Sequence, residues 1–324
     1  MVRVSMVTLV TGATGLVGNA IVRSLLERRR EVRVLARTPD KARRLVPEGV
    51  DVVRGDVTEG DSLKRAFEGV SVAYHAAGLP EQWLPDEGTF DRVNVEGTAN
   101  MIEAALAANV KRFVHTSTID VFRAALGEEY DESVIDPEPK GTAYERSKQA
   151  ADRAVVKALS RGLPAVFLHP AAVYGDGPAG SPGLNDFVDK LVKRQAPALL
   201  PGGMPVVHSD DVGEAHVRAE ERAEVGARFI LSERYATLED IARIVHELRG
   251  VPVPRTLPLS VAKLASRATE LVASITKKPP LIPRGQLEFM QWQARPKSTR
   301  ARAELGIDFL PLPDGIARLL GSEV

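Results

Sequence analysis

Apolar and polar positions change period repeatedly along the first half of the chain. Residues 6–11 are a run of apolar and β-branched side chains, the pattern of a strand buried on both faces, and the run stops at Gly12. From 16 to 28 the apolar residues return at helical spacing, with Leu16, Ile21 and Leu25 on one face and Val17 and Ala20 beside them. The exchange then repeats. Strands at 31–36, 50–54, 70–75, 112–116 and 165–168 alternate with helices at 62–67, 90–108 and 144–160. This alternation predicts right-handed βαβ units, and therefore an α/β fold with a doubly wound parallel sheet covered on both faces. Ligands of such sheets bind beyond the carboxyl ends of the strands. Gly12, Arg37, Asp56, Ala76, Thr118 and Pro170 all fall there.

After Gly175 the pattern loosens. Segments rich in proline and glycine at 175–183, 196–205, 250–258 and 277–283 separate amphipathic helices such as 238–248. Residues 1–174 are expected to form the sheet domain, with a return segment at about 206–232 in which 229–231 adds one more strand. Residues 175–205 and 233–324 are expected to form a smaller substrate-binding lobe over the mouth of the sheet. The apolar stretch 257–275 is interrupted by Lys263, Arg267 and Glu270 and does not read as a membrane span.

The first strand, its glycine turn and the helix start give a phosphate site its context. Gly12 permits the turn, Gly15 lets backbone N–H groups approach a pyrophosphate, and Gly18 lets the helix pack on the strand. The helix N-terminus adds unpaired N–H groups and a field that favours an anion. At the end of the second strand a carboxylate would signal NAD by binding the adenosine ribose. This chain has Arg37 there, with Lys41 one turn later. Both suit a 2′-phosphate, so NADP(H) is favoured and NAD(H) is the alternative. The further cations Arg43 and Arg44 read as solvated.

A second constellation lies at 144–148. Tyr144 and Lys148 are four residues apart, hence on one helix face, and an ammonium beside a phenol favours the phenolate. Lys148 could also hold the nicotinamide ribose. A hydroxyl from Thr116-Ser117-Thr118, at the end of the fifth strand, would point into the same crevice and hydrogen-bond a substrate carbonyl.

Composition narrows the possibilities. The 324 residues carry 43 Lys plus Arg against 43 Asp plus Glu, so no net field favours nucleic acid or a membrane surface. There is no cysteine, which excludes disulfides and thiolate chemistry. The six histidines are scattered and offer no metal-ligand set, and His75 and His169, at strand ends, read as structural. A cytoplasmic enzyme acting on a small molecule is expected, as a monomer or a homodimer.

These motifs together carry a resemblance. The segments 11–18, Gly55-Asp56-Val57, 75–78, 94–98, Thr116-Ser117-Thr118, 144–148 and 169–175 resemble those of an extended short-chain dehydrogenase/reductase of the epimerase/dehydratase type, over nearly the whole chain. The resemblance implies a Rossmann-type sheet with Tyr144 as general acid/base, Lys148 as its partner and Thr118 as the polarising hydroxyl. It places Thr14, Leu16 and Val17 with the glycines at the pyrophosphate, Asp56 and Val57 at the adenine, Ala76, Ala77 and Thr116 along the cofactor, and Pro170 to Val173 at the nicotinamide. Asn94 would tie the fourth and fifth strands together. One departure is Arg28-Arg29-Arg30, where relatives have a glycine, so the first helix should end without the easy left-handed cap.

A second departure bears on substrate. Nucleotide-sugar members hold a diphosphate with an asparagine and an arginine where this chain has Ala172 and Met204. A buried diphosphate lacking donors would be costly to desolvate. The pattern is therefore closest to dihydroflavonol reductases and 3β-hydroxysteroid dehydrogenases. Trp83 in the segment 79–84, Phe122, Met204 and the segment 289–292 are candidate pocket walls. The implied activity is hydride transfer between NADPH and a carbonyl or secondary alcohol of a small, partly apolar substrate. A nucleotide-sugar epimerase or dehydratase with bound NAD is the alternative, and a non-catalytic dinucleotide sensor a lesser one.

Overall fold

The computed structural model describes residues 7–80, 83–178 and 183–321. Met6, and residues 81–82 and 179–182 of the segments named above, lie outside that range. The sheet half runs β1 (Val7–Thr11), α1 (Leu16–Glu27), β2 (Val32–Ala36), α2 (Pro39–Arg43), β3 (Asp51–Arg54), α3 (Gly60–Ala66) and β4 (Val70–His75). Next come α4 (Gly88–Phe90), a π-helical segment Asp91–Glu96, α5 (Gly97–Ala107), β5 (Arg112–Thr116) and a 3₁₀ turn Ile119–Val121. After these follow β6 (Glu129–Tyr130), α6 (Ala143–Leu159) and β7 (Ala165–Pro170). The remainder is β8 (Ala172–Tyr174), α7 (Leu184–Val192), β9 (Gly203–His208), α8 (Ser209–Arg222), β10 (Arg228–Leu231), β11 (Arg234–Thr237) and α9 (Leu238–Arg249). It closes with α10 (Leu259–Thr276), α11 (Arg284–Trp292), β12 (Arg295–Pro296), α12 (Thr299–Leu305) and α13 (Leu312–Leu319).

Seven strands form the main sheet in the order β10-β7-β5-β4-β1-β2-β3, every neighbouring pair parallel. The winding reverses between β1 and β4, which puts the switch point of the sheet at the glycine turn. Alternate strand residues feed two cores. Val10, Tyr74, Val114 and Val166 pack on the side of Ile21, Leu25, Val212 and Ala215. Leu9, Ala73, Phe113 and Phe167 pack on the side of Leu63, Met101 and Val155. Because both faces are covered, these strands read as continuous apolar runs rather than alternating ones. A three-stranded sheet, β11-β9-β8, and the paired β12 and β6 lie outside the main sheet.

Helices α1 and α8 meet closely. A side chain at Gly213 would lie 2.5 Å from the Ala20 carbonyl oxygen. The arginine triplet after α1 is explained by the same joint: Arg28 pairs with Glu214 at 2.7 Å and Arg30 with Glu220 at 3.2 Å, both on α8. The expectation that α1 lacks a left-handed cap is corrected. Arg29 itself adopts φ 55°, Arg30 N–H donates to Leu25 O at 3.0 Å and Arg29 N–H to Leu26 O at 2.8 Å. This is the full glycine-type cap built on an arginine, at a local cost of about 1 kcal/mol.

The single helix expected over 90–108 is likewise corrected. It starts at Gly88 and is interrupted by the π segment Asp91–Glu96. Insertions of this kind cluster at functional sites, and this one contains Asn94, whose environment is described next.

Candidate active site

The turn after β1 is fixed from below. Gly12 has φ +73°, and a Cβ there would sit 2.5 Å from the Ala76 carbonyl oxygen, so the turn lies directly on the loop after β4. Ala77 N–H donates to Thr11 Oγ1 at 3.2 Å across the same joint. At Gly18 a Cβ would be 2.3 Å from Gly12 O, so only glycine lets α1 begin against the turn. Gly15 differs. It is exposed, and a Cβ there would come no nearer than 3.4 Å to any protein atom.

The start of α1 has no side-chain cap and no acidic residue in its first turn, whereas α6 and α9 both have capping boxes. Its leading N–H groups are therefore left without the usual side-chain acceptor, which suits an incoming anion. A dinucleotide pyrophosphate fits this cradle. Thr14 is exposed, Val17 half-buried, and Leu16 buried beside Gly177. Asn19, not anticipated from sequence, donates to the carbonyls of Ala13 at 3.4 Å and Leu45 at 2.9 Å and steadies the turn.

At the neighbouring strand ends, Arg37 and Lys41 are both exposed. Arg43 is tied to Asp40. Asp56 Oδ1 accepts from the backbone and hydroxyl of Thr58 at 2.9 and 3.0 Å, and buried Val57 presents its carbonyl to Asn100 at 2.8 Å.

Lys148 is the electrostatic centre of the site. Its side chain leaves α6, is almost fully buried, and donates from Nζ to the Thr116 carbonyl at 2.9 Å. Burial lowers its pKa to about 8, against the opposing pull of Asp152 and Asp120. A Cβ on Gly78 would lie 4.0 Å from Nζ and 3.1 Å from Asn94 Oδ1, so the loop after β4 brings bare backbone to the ammonium. Tyr144, half-buried one turn before Lys148, packs edge-on against Phe90 with ring centres 6.2 Å apart. Thr142 and Glu145 form the capping box that sets where α6 starts, and hence the direction of both side chains.

Asn94 does link elements, but not the fourth and fifth strands. Its Oδ1 accepts from Leu79 N–H at 2.8 Å, and its Nδ2 donates to Ser147 Oγ on α6 at 2.9 Å. Ser147 in turn donates to the Tyr144 carbonyl at 2.7 Å. The π segment delivers Asn94 to a junction between the β4 loop and the turn of α6 that bears the tyrosine.

The histidines at the strand ends are neutral posts. Arg228 can only donate, so His169 Nε2 accepts from it at 3.1 Å and Nδ1–H donates to the Thr118 carbonyl at 3.2 Å. Burial takes its pKa to about 3. His75 spans Thr11 Oγ1 at 2.9 Å and Thr98 Oγ1 at 3.0 Å, and the Thr98 hydroxyl donates to the Asn94 carbonyl at 2.6 Å. Thr116 faces away, its hydroxyl on His216 Nε2 at 2.9 Å. Its contribution to the site is the carbonyl on Lys148.

Thr118 is buried and donates from Oγ1 to Asp120 Oδ2 at 2.9 Å. Asp120 is a residue the sequence reading missed. It is buried, and its Oδ1 has no protein partner. Burial, with a smaller push from Glu145, raises its pKa to about 7, against Thr118, Lys140 and Lys148.

The candidate wall residues separate. Ala172 on β8 and Met204 on β9 share the three-stranded sheet and are both half-buried. Trp83 is half-buried in the loop after β4. Phe122 and Met290 have no exposed surface. Phe122 packs its ring 4.6 Å from that of His169, in the core rather than on an open wall. Phe289 and Trp292 are half-buried, with Trp292 stacked on Tyr130.

The NAD dependent epimerase/dehydratase family matches residues 8–231. A putative dihydroflavonol 4-reductase of Synechocystis is 28% identical over 305 residues, 92% of this chain and 89% of that protein. Sterol demethylase protein B of Methylococcus capsulatus is 29% identical over 320 residues, 93% of each. Among solved structures, UDP-glucose 4-epimerase of Thermus thermophilus in complex with NAD has a TM-score of 0.77 at 24% identity, covering 98% of this chain and 100% of that one.

The buried carboxyl of Asp120 makes a testable contribution to stability. Below the ordinary carboxylate range Asp120 is protonated folded or unfolded. As pH rises toward 7 the unfolded chain releases that proton first, so stability falls through this window and stays lower above it. D120N removes the titration. Its stability relative to the parent should therefore improve by roughly 2–4 kcal/mol between pH 4 and pH 8, read from denaturant unfolding at each pH. A constant difference across that range would contradict the burial of this charge.

Proposed function

The chain belongs to the NAD-dependent epimerase/dehydratase family, the extended short-chain dehydrogenases/reductases, and from that premise we propose that it exchanges a hydride between NADPH and a carbonyl or secondary alcohol on a small, partly apolar substrate. Its class is an NAD(P)-dependent oxidoreductase acting on CH–OH and C=O groups. One arrangement carries the reading: a buried ammonium at the end of β5, one helical turn from a half-buried tyrosine, beside the glycine cradle of the first strand.

The cofactor would be held by the N–H groups at Gly15–Gly18, with Thr14 and Gly12 at the turn, by Asp56 and Val57 on the adenine side, and by Ala76 and Ala77 below. Arg37 and Lys41, exposed at the end of β2, would take a 2′-phosphate, and Pro170 to Val173 would face the ring. When bound, the nicotinamide supplies or accepts the hydride. Lys148, held by the Thr116 carbonyl, favours the phenolate of Tyr144 and would hold the nicotinamide ribose when the cofactor is bound. Tyr144 delivers a proton to the substrate oxygen, or takes it in the oxidative direction. Thr118 donates to the same oxygen. When Asp120 is protonated it can donate to Thr118 Oγ1, which frees the threonine proton for substrate. When ionised it claims that proton.

Ala172 and Met204 supply neither donor nor cation in the sheet of β8 and β9, which supports a substrate body without a diphosphate. The two relatives, a putative dihydroflavonol 4-reductase and a sterol demethylase protein, support a ring-bearing apolar compound. A second reading is a nucleotide-sugar epimerase, favoured by the likeness to the solved UDP-glucose 4-epimerase. That enzyme would purify with nicotinamide bound and gain thermal stability from a UDP-sugar.

NADPH oxidation measured against a panel of cyclic ketones and aldehydes tests the proposal. Tyr144→Phe should lower kcat by about 100- to 10,000-fold while NADPH affinity changes little, and substantial residual turnover would refute the assignment. Arg37→Asp should weaken NADPH about tenfold or more and leave NADH nearly unaffected. Equal losses for both would remove the preference for NADP.

A further inference from the structure

Helix α10 is packed the wrong way round for a helix that serves only the core. Its buried positions are small, Ala262, Ser266 and Ala273, and the cluster beneath it consists of Ala262, Ile282 and Leu287. Its large side chains point outward instead. Val261, Leu264, Leu271, Val272 and Ile275 are 47–77% exposed, and Leu281 in the turn that follows is 82% exposed. They recur at i, i+3, i+10, i+11 and i+14, one face of the helix opposite the alanines. Six of the ten exposed large aliphatic side chains among the described residues fall in this one segment. Scattered exposed leucines need no explanation, but a contiguous stripe does.

Charge identifies what the stripe would meet. Between residues 259 and 282 the chain carries four cations, Lys263, Arg267, Lys277 and Lys278, all exposed, and one acid. That acid, Glu270, is engaged by the Arg284 backbone N–H at 2.7 Å. The neutral total of the whole chain therefore conceals a local basic margin around an apolar strip. Two copies meeting stripe to stripe would crowd these cations together. An anionic lipid surface would pair with them while the leucines enter the acyl boundary. Crossing is excluded for α10 by its charges, and among the described residues no helix is long and apolar enough to cross a membrane.

We propose that α10 and the turn after it seat this protein peripherally on an anionic bilayer, lying in the interface with Leu264, Leu271 and Ile275 inserted. The inference stands apart from the reaction and would survive a failure of the catalytic reading. Were both correct, the substrate lobe would rest where apolar substrates partition.

Co-sedimentation of the full chain with vesicles of phosphatidylcholine, with and without phosphatidylglycerol, tests it. The parent should pellet with the anionic vesicles and be released by salt. L264S/L271S/I275S should lose about tenfold or more of that partition, and K263E/R267E about fivefold per charge on anionic vesicles. Unchanged melting temperatures of both variants would show that they fold. A parent that stays in solution with both vesicle types, or a serine variant that pellets equally well, would overturn the proposal. So would light scattering that finds a dimer dissolved by the serine variant with no vesicle binding, since a second copy would then cover the stripe.

Discussion

An ammonium taken out of water must be given oxygen atoms, and much of the site follows from where Lys148 finds them. Its buried Nζ is held by the Thr116 carbonyl at the end of β5, with Asp152 and Asp120 as the carboxylates that partly offset its desolvation. Each neighbour is then constrained. The loop after β4 must present Gly78 without a side chain, α6 must begin at Thr142 so that Tyr144 and Lys148 share a face, and β5 must end at a fixed height. His169 secures that end by donating to Thr118, while the Asp152–Arg228 pair, 2.8 Å at its closer contact, fixes which ring nitrogen accepts. Much of the polar interior at the sheet's carboxyl edge is devoted to holding backbone for one charge.

The parallel sheet and the cradle were legible because they rest on local rules. Apolar runs alternating with helical spacing give the succession of strands and helices, and a Tyr-x-x-x-Lys spacing on a helix places two side chains together without further information. Other features rest on contacts far apart in sequence. Asp120 is a polar residue on a short turn whose burial comes from the fold packed around it, with Lys140 and Lys148 among its neighbours. The π segment at Asn94 is invisible to a helical period, since the insertion changes phase without changing which residues are apolar. Arg29 takes a glycine's conformation between Arg28 and Arg30, which pair with Glu214 and Glu220 on α8, 186 and 190 residues away. One local signal was overlooked: Thr142-x-x-Glu145 is a capping box that marks the start of α6.

The second half of the chain was legible in outline only. Helical periodicity in 259–276 reveals an apolar stripe but not whether it faces inward, and here the small residues took the inner face. Phe122, a candidate pocket wall, is instead buried against His169. Ala172 and Met204 lie on the paired strands β8 and β9, although the register sets Ala172 opposite Val206 and Met204 opposite Ala236.

Titration of Lys148 tests the central claim most directly. With lysine side chains carrying ¹³C at Cε, and Lys148→Arg to assign the resonance, nuclear magnetic resonance should find one lysine titrating near pH 8. A Lys148 midpoint at the ordinary value near 10.5 would contradict the uncompensated desolvation of this ammonium, the constraint from which this account of the site starts.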